Sequence, residues 1–149
     1  MIALACDHGG FDLKEAAIEV LKELGLEYRD FGTHDRKSVD YPVYGARAAR
    51  AVSSGECDRG IILCGTGVGI GITANKVPGI RAAVCHDPFS TERSRKSNNA
   101  QIMCMGERVI GVELAKYLVD IWLKCDFAGG GSAPKVARIN EIDESYRKL

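Results

Sequence analysis

The sequence predicts one α/β domain over residues 1–149, a doubly wound parallel sheet of five strands with helices on both faces. Two observations carry that expectation. Short β-branched and apolar runs, bounded by glycine or polar residues, alternate with longer segments whose apolar residues recur at helical spacing. A chain of 149 residues with 46% hydrophobic and 27% charged residues also has the size and composition of a single packed domain.

Ile2 to Cys6 reads as the first strand, with Asp7, His8, Gly9 and Gly10 in its turn. Leu13, Ala16, Ala17, Val20, Leu21 and Leu24 follow at helical spacing, and Gly25 supplies a stop. Glu27 to Phe31 is a weaker second strand, and Gly32 to Tyr41 a polar loop. Pro42 opens an alanine-rich helix through Val52, which Ser53, Ser54 and Gly55 end. The third strand, around Ile61, Ile62 and Leu63, leads into a glycine-rich bend and a helix broken by Gly79. Ile80 to Cys85 gives a fourth strand ending in His86, Asp87 and Pro88, and Phe89 to Asn99 a short helix and loop. Ala100 to Met105 is a fifth strand closed by Gly106. Val112 to Lys124 is helical, with Leu114, Leu118, Ile121 and Cys125 along one face. Gly129, Gly130, Gly131 and Ser132 make a flexible connector. Beyond it Val136, Ile139, Ile142 and Tyr146 form the stripe of a terminal amphipathic helix, to be buried on its own chain or on a partner subunit.

The stretch from Arg59 to Lys76, RGIILCGTGVGIGITANK, is the expected functional centre. Ligands of open α/β sheets bind beyond the carboxyl ends of strands, where Cys64 falls. The thiol is either a small buried apolar group or, at a helix N-terminus that favours thiolate, a reactive one. Gly65, Gly67, Gly69 and Gly71 stand at alternate positions, which suits either a cradle of backbone N–H groups for an anion or a plain tight turn. The spacing excludes two better-known loops. The third glycine of a dinucleotide fingerprint falls on Ile70, and Lys76 lacks the flanking glycine and hydroxyl of a P-loop.

Lys plus Arg equals Asp plus Glu at 20 each, so no global basic field exists to attract nucleic acid or anionic lipid. The six cysteines, at 6, 57, 64, 85, 104 and 125, show no C-x-x-C pair and no zinc spacing, which suits reduced cytoplasmic thiols and no bound metal. MIALACD has no basic leader and reads as a strand rather than a signal peptide, and no apolar run approaches the ~18 residues of a membrane span.

Three strand ends deliver polar groups to one edge: Asp7 and His8, then Cys64 and Thr66, then His86 and Asp87. Together CDHGG at Cys6 to Gly10, CGTGVGIGITANK at Cys64 to Lys76, GIRAAV at Gly79 to Val84, SNNAQ at Ser97 to Gln101 and GERVIG at Gly106 to Gly111 resemble the type B ribose-5-phosphate isomerases. The likeness runs over nearly the whole chain, in order and spacing. It implies a Rossmann-like fold and a cofactor-free, metal-free aldose–ketose isomerase acting on a sugar phosphate. It also implies a homodimer, or a pair of dimers, whose sites draw on both subunits and whose C-terminal helix packs on the partner.

By that resemblance Cys64 is the base that moves a proton between C2 and C1, and Thr66 relays one between O1 and O2. The amides of Gly65, Gly67, Val68 and Gly69 form the oxyanion hole. Asp7, His8, Tyr41, Ser97 and Asn98 take sugar-contact positions, while His8, Arg108 and Lys135 take phosphate positions, Arg108 coming from the partner subunit. Another branch of the family carries a glutamate at the position of Ile70, and an isoleucine cannot be a base.

The chain departs from the pattern at three places. Ser97 stands where many members carry a histidine credited with opening the sugar ring, and a hydroxyl does not titrate near neutrality. The paired C-terminal arginines are Gly131 and Lys135 here, so one bidentate donor is missing and one has become a point charge. The resemblance implies ribose 5-phosphate as substrate, and because these departures fall on the features that fit it best, allose 6-phosphate, galactose 6-phosphate or a free aldose are the enzymatic alternatives. A phospho-sugar or nucleotide-binding module without turnover, and a metal-dependent isomerase, are the readings from other classes.

Overall fold

Strands β1 (Ile2–Cys6), β2 (Tyr28–Asp30), β3 (Arg59–Cys64), β4 (Ala82–Val84) and β5 (Ile102–Gly106) pair in parallel in the order β2-β1-β3-β5-β4. They alternate with helices α1 (Phe11–Glu23), α2 (Tyr41–Ser53), α3 (Val68–Asn75), α4 (Pro88–Lys96), α5 (Val112–Lys124) and α6 (Ala133–Arg147) in a computed structural model that describes residues 1–148.

Successive strand side chains point to opposite faces, so each strand feeds two core layers. Ile2, Leu4, Cys6, Ile61, Leu63, Met103 and Met105 pack with α1 and α5, while Ala3, Ala5, Ile62, Cys64, Ile102 and Cys104 pack with α2 and α3. Cys64 thereby joins the layer beneath α2. The chain leaves β1 for β2 on one side and returns to β3 on the other, which opens a switch point between the carboxyl ends of β1 and β3.

Several boundaries differ from the sequence expectation. β4 is shorter than Ile80 to Cys85, yet its ends stay paired: the Arg81 carbonyl accepts from Gln101 N–H at 3.0 Å, and Cys85 N–H donates to the Cys104 carbonyl at 2.9 Å. α3 ends at Asn75, four residues before Gly79, which turns the chain into β4 instead. The buried face of α5 is Ala115, Leu118, Val119 and Trp122 rather than the stripe through Leu114 and Ile121. Trp122 lies on that buried face, its ring fully buried and the guanidinium groups of Arg59 and Arg95 5.2 and 5.6 Å from its centroid.

Lys14 is buried in α1 and pairs with Asp30 at 2.8 Å while also donating to the Thr33 carbonyl. A buried ammonium needs such partners, and these draw the loop after β2 against α1. The glycines after α5 close into a short 3-10 turn, Gly130–Ser132, that starts α6. In α6 Val136 is buried, whereas Ile139, Ile142 and Tyr146 are exposed on this chain. Among the described residues no helix is long and apolar enough to cross a membrane.

Candidate active site

An open cleft of about 310 Å³ lies at the switch point, lined by Asp7, His8 and Gly9 after β1, Tyr41 at the start of α2, Cys64 at the end of β3 with Gly65, Thr66, Val68 and Gly69 beyond it, and Arg108 after β5. Asp7 is buried and its carboxylate accepts the Gly9 N–H at 2.8 Å, which fixes the turn that follows β1. His8 is exposed, and its Nδ1 accepts the Val39 N–H at 3.1 Å, leaving Nε2 as the donor.

Cys64 closes β3 at 4% exposure and lines the cleft, with Sγ accepting the Gly67 N–H at 3.1 Å. Cys6, Cys85 and Cys104 do not line the cleft. Burial pushes the Cys6 thiol up to about 12 and the Cys104 thiol well above its ordinary value, and the same cause raises Cys85. All six cysteines are free.

Gly67 precedes α3 with φ +76 against the Met105 backbone, where a Cβ would come within 2.9 Å, so this turn admits no other residue without strain. A Cβ on Gly69 would come 2.5 Å from the Tyr41 ring, so the bare helix start is what lets Tyr41 roof the cleft. Of the four amides expected to form an oxyanion hole, Gly67 already serves the sulfur and Val68 donates to Thr66 Oγ1 at 3.2 Å. Gly69 is second in α3 and has no intrahelical acceptor. Thr66 itself is exposed at the rim.

Arg108 corrects one expectation. Its side chain runs along Gly65 of its own chain, and its N–H donates to the Gly65 carbonyl at 3.0 Å. β3 and β5 are neighbours, so the turn after β5 lies over the turn after β3. Among the described residues Arg108 has no carboxylate in ion-pair range, which leaves a free guanidinium at the rim.

Ser97, Asn98 and Lys135 do not line this cleft. Ser97 ends α4, where its hydroxyl accepts from Arg93 at 3.3 Å, and Asn98 donates its N–H to the Arg93 carbonyl. Lys135 is exposed in the first turn of α6.

Two further residues stand at these strand ends outside the cleft lining: His86, one of the polar groups expected at this edge, and Glu107, to which the sequence assigns no role. His86 Nε2 accepts the Gly106 N–H at 2.8 Å, and burial holds its pKa below the ordinary 6.5 against the opposing pull of Asp87. Glu107 accepts the N–H groups of Asp12 and Leu13 at 2.7 and 3.1 Å, capping α1 from across the sheet. Both lie in motifs flagged at strand ends, and that position was their only signal. Among the described residues no group of three His, Cys, Asp or Glu side chains is placed to hold a metal ion.

The sequence model described as Ribose/Galactose Isomerase matches residues 2–139. Among similar curated proteins, a Listeria innocua protein named Ribose-5-P isomerase B is 50% identical over 98% of this chain and 99% of its own. A Pectobacterium atrosepticum protein named D-erythrulose-4-phosphate isomerase is 49% identical over 98% and 97%. The solved Ribose-5-Phosphate Isomerase B of Clostridium thermocellum superposes with a TM-score of 0.94 at 54% identity, covering 97% of this chain and 98% of that one. With its glycine turn, strand-end thiol and switch-point cleft, the chain belongs to the Ribose/Galactose Isomerase family.

Proposed function

We propose that the chain is a single isomerase domain that interconverts ribose 5-phosphate and ribulose 5-phosphate through an enediolate, with Cys64 as the base. The observation that carries this reading is the cleft itself, in which one sulfur, an amide-rich helix start and a free guanidinium meet. The names of the Listeria and Clostridium relatives support the substrate.

In the open-chain aldose the Cys64 thiolate removes the C2 proton, and the electron pair forms the C1–C2 double bond as O1 takes up negative charge. The Gly69 and Gly65 amides receive that oxyanion, while the Gly67 amide steadies the sulfur. One such donor is worth about 3–4 kcal/mol in related oxyanion holes. Thr66 carries the O2 proton to O1, and the thiol returns its proton to C1 as the C2 carbonyl forms. Asp7, His8 and Tyr41 hold sugar hydroxyls, and Arg108 and His8 hold the phosphate. No step requires a metal.

Ser97, Asn98 and Lys135 reach the site from a second copy of the chain in this reading, which makes a dimer the active unit. The exposed stripe of Ile139, Ile142 and Tyr146 supports a partner for α6, and six free thiols support a reducing compartment such as the cytoplasm.

A second reading has one specific observation in its favour. Ser97 offers no titrating group for ring opening, and a four-carbon ketose 4-phosphate cannot form a furanose, so the name of the Pectobacterium relative fits this position. Turnover of ribose 5-phosphate, D-erythrulose 4-phosphate, allose 6-phosphate and free D-allose, each assayed with excess chelator, tests both readings. Ribose 5-phosphate leading in kcat/KM sustains the first, and a clear lead for the tetrulose phosphate replaces it with the second. Loss of all turnover under chelation removes the metal-free mechanism.

A further inference from the structure

At the far end of the sheet a second hollow of about 370 Å³ separates α6 from the turn into β4, and Arg81 lies in its wall. Arg81 donates Nε and Nη2 to the Asn99 carbonyl at 3.2 and 2.9 Å, and Nη1 to Asn140 Oδ1 of α6 at 2.7 Å. Among the described residues no carboxylate pairs with it. Burial pushes its pKa down. A half-buried guanidinium whose donors all go to neutral acceptors gives up part of its hydration for these contacts, so what it fastens matters.

On one side it holds Asn99, whose φ of +48 is rare for a side-chain-bearing residue and which directly follows Ser97 and Asn98. Arg95 supports the same residue by donating to Asn99 Oδ1 at 3.2 Å. On the other side it holds Asn140, five positions after Lys135 and therefore about 7.5 Å further along the same rigid helix. α6 has little else to anchor it to the sheet: Val136 is its buried residue, and Asp143 accepts the Gly79 N–H at 2.9 Å. One side chain thus links the two elements whose polar residues are missing from their own chain's cleft.

We propose that Arg81 is a positioning residue which locks the Ser97–Asn98 turn and the Lys135 helix into one relative placement, so that both enter the cleft of a second copy of this chain. The inference rests on the shared-site reading above. It assigns Arg81 to the neighbour's catalysis, although Arg81 does not line its own chain's cleft.

The test uses dimers of full-length chains carrying two different affinity tags, purified by both tags in succession. Arg81→Met keeps the apolar stem and removes the fork. In the homodimer it raises the KM for ribose 5-phosphate about thirtyfold with kcat within about threefold, the size expected for misplaced charge-assisted contacts. Arg81→Lys recovers part of that loss, since one ammonium reaches only one of the two partners. A heterodimer of Cys64→Ala with Arg81→Met regains about half the wild-type kcat/KM, because one of its two symmetric sites has both an intact thiol and an intact Arg81 clasp.

A parallel heterodimer of Cys64→Ala with Asn98→Ala separates the outcomes. If both pairs regain activity, the proposal stands. If only the Asn98 pair does, Arg81 acts within its own subunit and the proposal is overturned while the shared site survives. If neither does, the shared-site reading fails and takes the proposal with it. Should Arg81→Met give no folded dimer, Asn140→Ala removes only the helix-side acceptor: a raised KM rescued in the heterodimer supports the clasp, and an unchanged KM overturns it.

Discussion

The carboxyl ends of β1 and β3 and the far edge around Asn98 and α6 carry equally polar motif residues, yet they end in different circumstances. At the first, Asp7, His8, Cys64 and Arg108 come together within one chain. At the second, Asn98 and Lys135 are exposed and lie outside that cleft. Strand order alone assembles the first group, because β1, β3 and β5 are consecutive in the sheet. Nothing in the chain's own topology brings the second group to that cleft, and under the shared-site proposal a second copy supplies it.

The sharpest way to break this contrast is at the sulfur. Cys64→Ala lowers kcat by about a thousandfold or more, within the range for removing a general base, while calorimetric affinity for an unreactive sugar phosphate stays within about twofold. Turnover that survives would place the base elsewhere and dissolve the division between the two regions. Next in size is Gly106→Ala. A Cβ there would lie 2.4 Å from the Thr66 backbone, so urea unfolding shows a loss of about 3 kcal/mol and the turn bearing Thr66 is displaced. The same change at Gly111, with open space around it, costs little and serves as the control.

Arg108→Ala sharpens the contrast from the ligand side. It raises KM for phosphorylated sugars about thirtyfold and leaves a free aldose unaffected, since the lost contact is to phosphate. The smallest effect concerns His86, which must be neutral at Nε2 to accept the Gly106 N–H. Its unfolded value is near 6.5 and its folded value lower, so the unfolded chain binds more protons in between. The contribution to stability is full above 6.5 and is lost as pH falls toward the folded pKa. Melting temperatures followed from pH 7 downward therefore decline, and His86→Gln flattens the slope; equal slopes would remove His86 from the acid response.

Local signals made much of this readable in advance. The motifs after Cys6 and Cys64 announce strand ends, and the helix Val112–Lys124 falls where its periodicity placed it. What sequence spacing did not reveal is which neighbour each element meets. The α5 stripe through Leu114 and Ile121 is as regular as the one that is buried, and the face that packs into the core is the one carrying Ala115, Val119 and Trp122. Gly71 was grouped with the anion cradle, but its N–H is taken by the Gly67 carbonyl inside α3. The family resemblance assigns Arg108 to a partner subunit, whereas the β3–β5 pairing sets its side chain against Gly65 of its own chain. The burial of Lys14 rests on its pairing with Asp30 at the end of β2, which no local pattern announces.

The cap that Glu107 lends to α1 spans ninety-five positions of sequence. A polypeptide emerging from the ribosome therefore has its first helix unfinished at the start until the fifth strand has been synthesised and docked. Any cut that releases that late turn frays the beginning of the molecule and removes the guanidinium rim in one event, so neither fragment on its own inherits the chemistry.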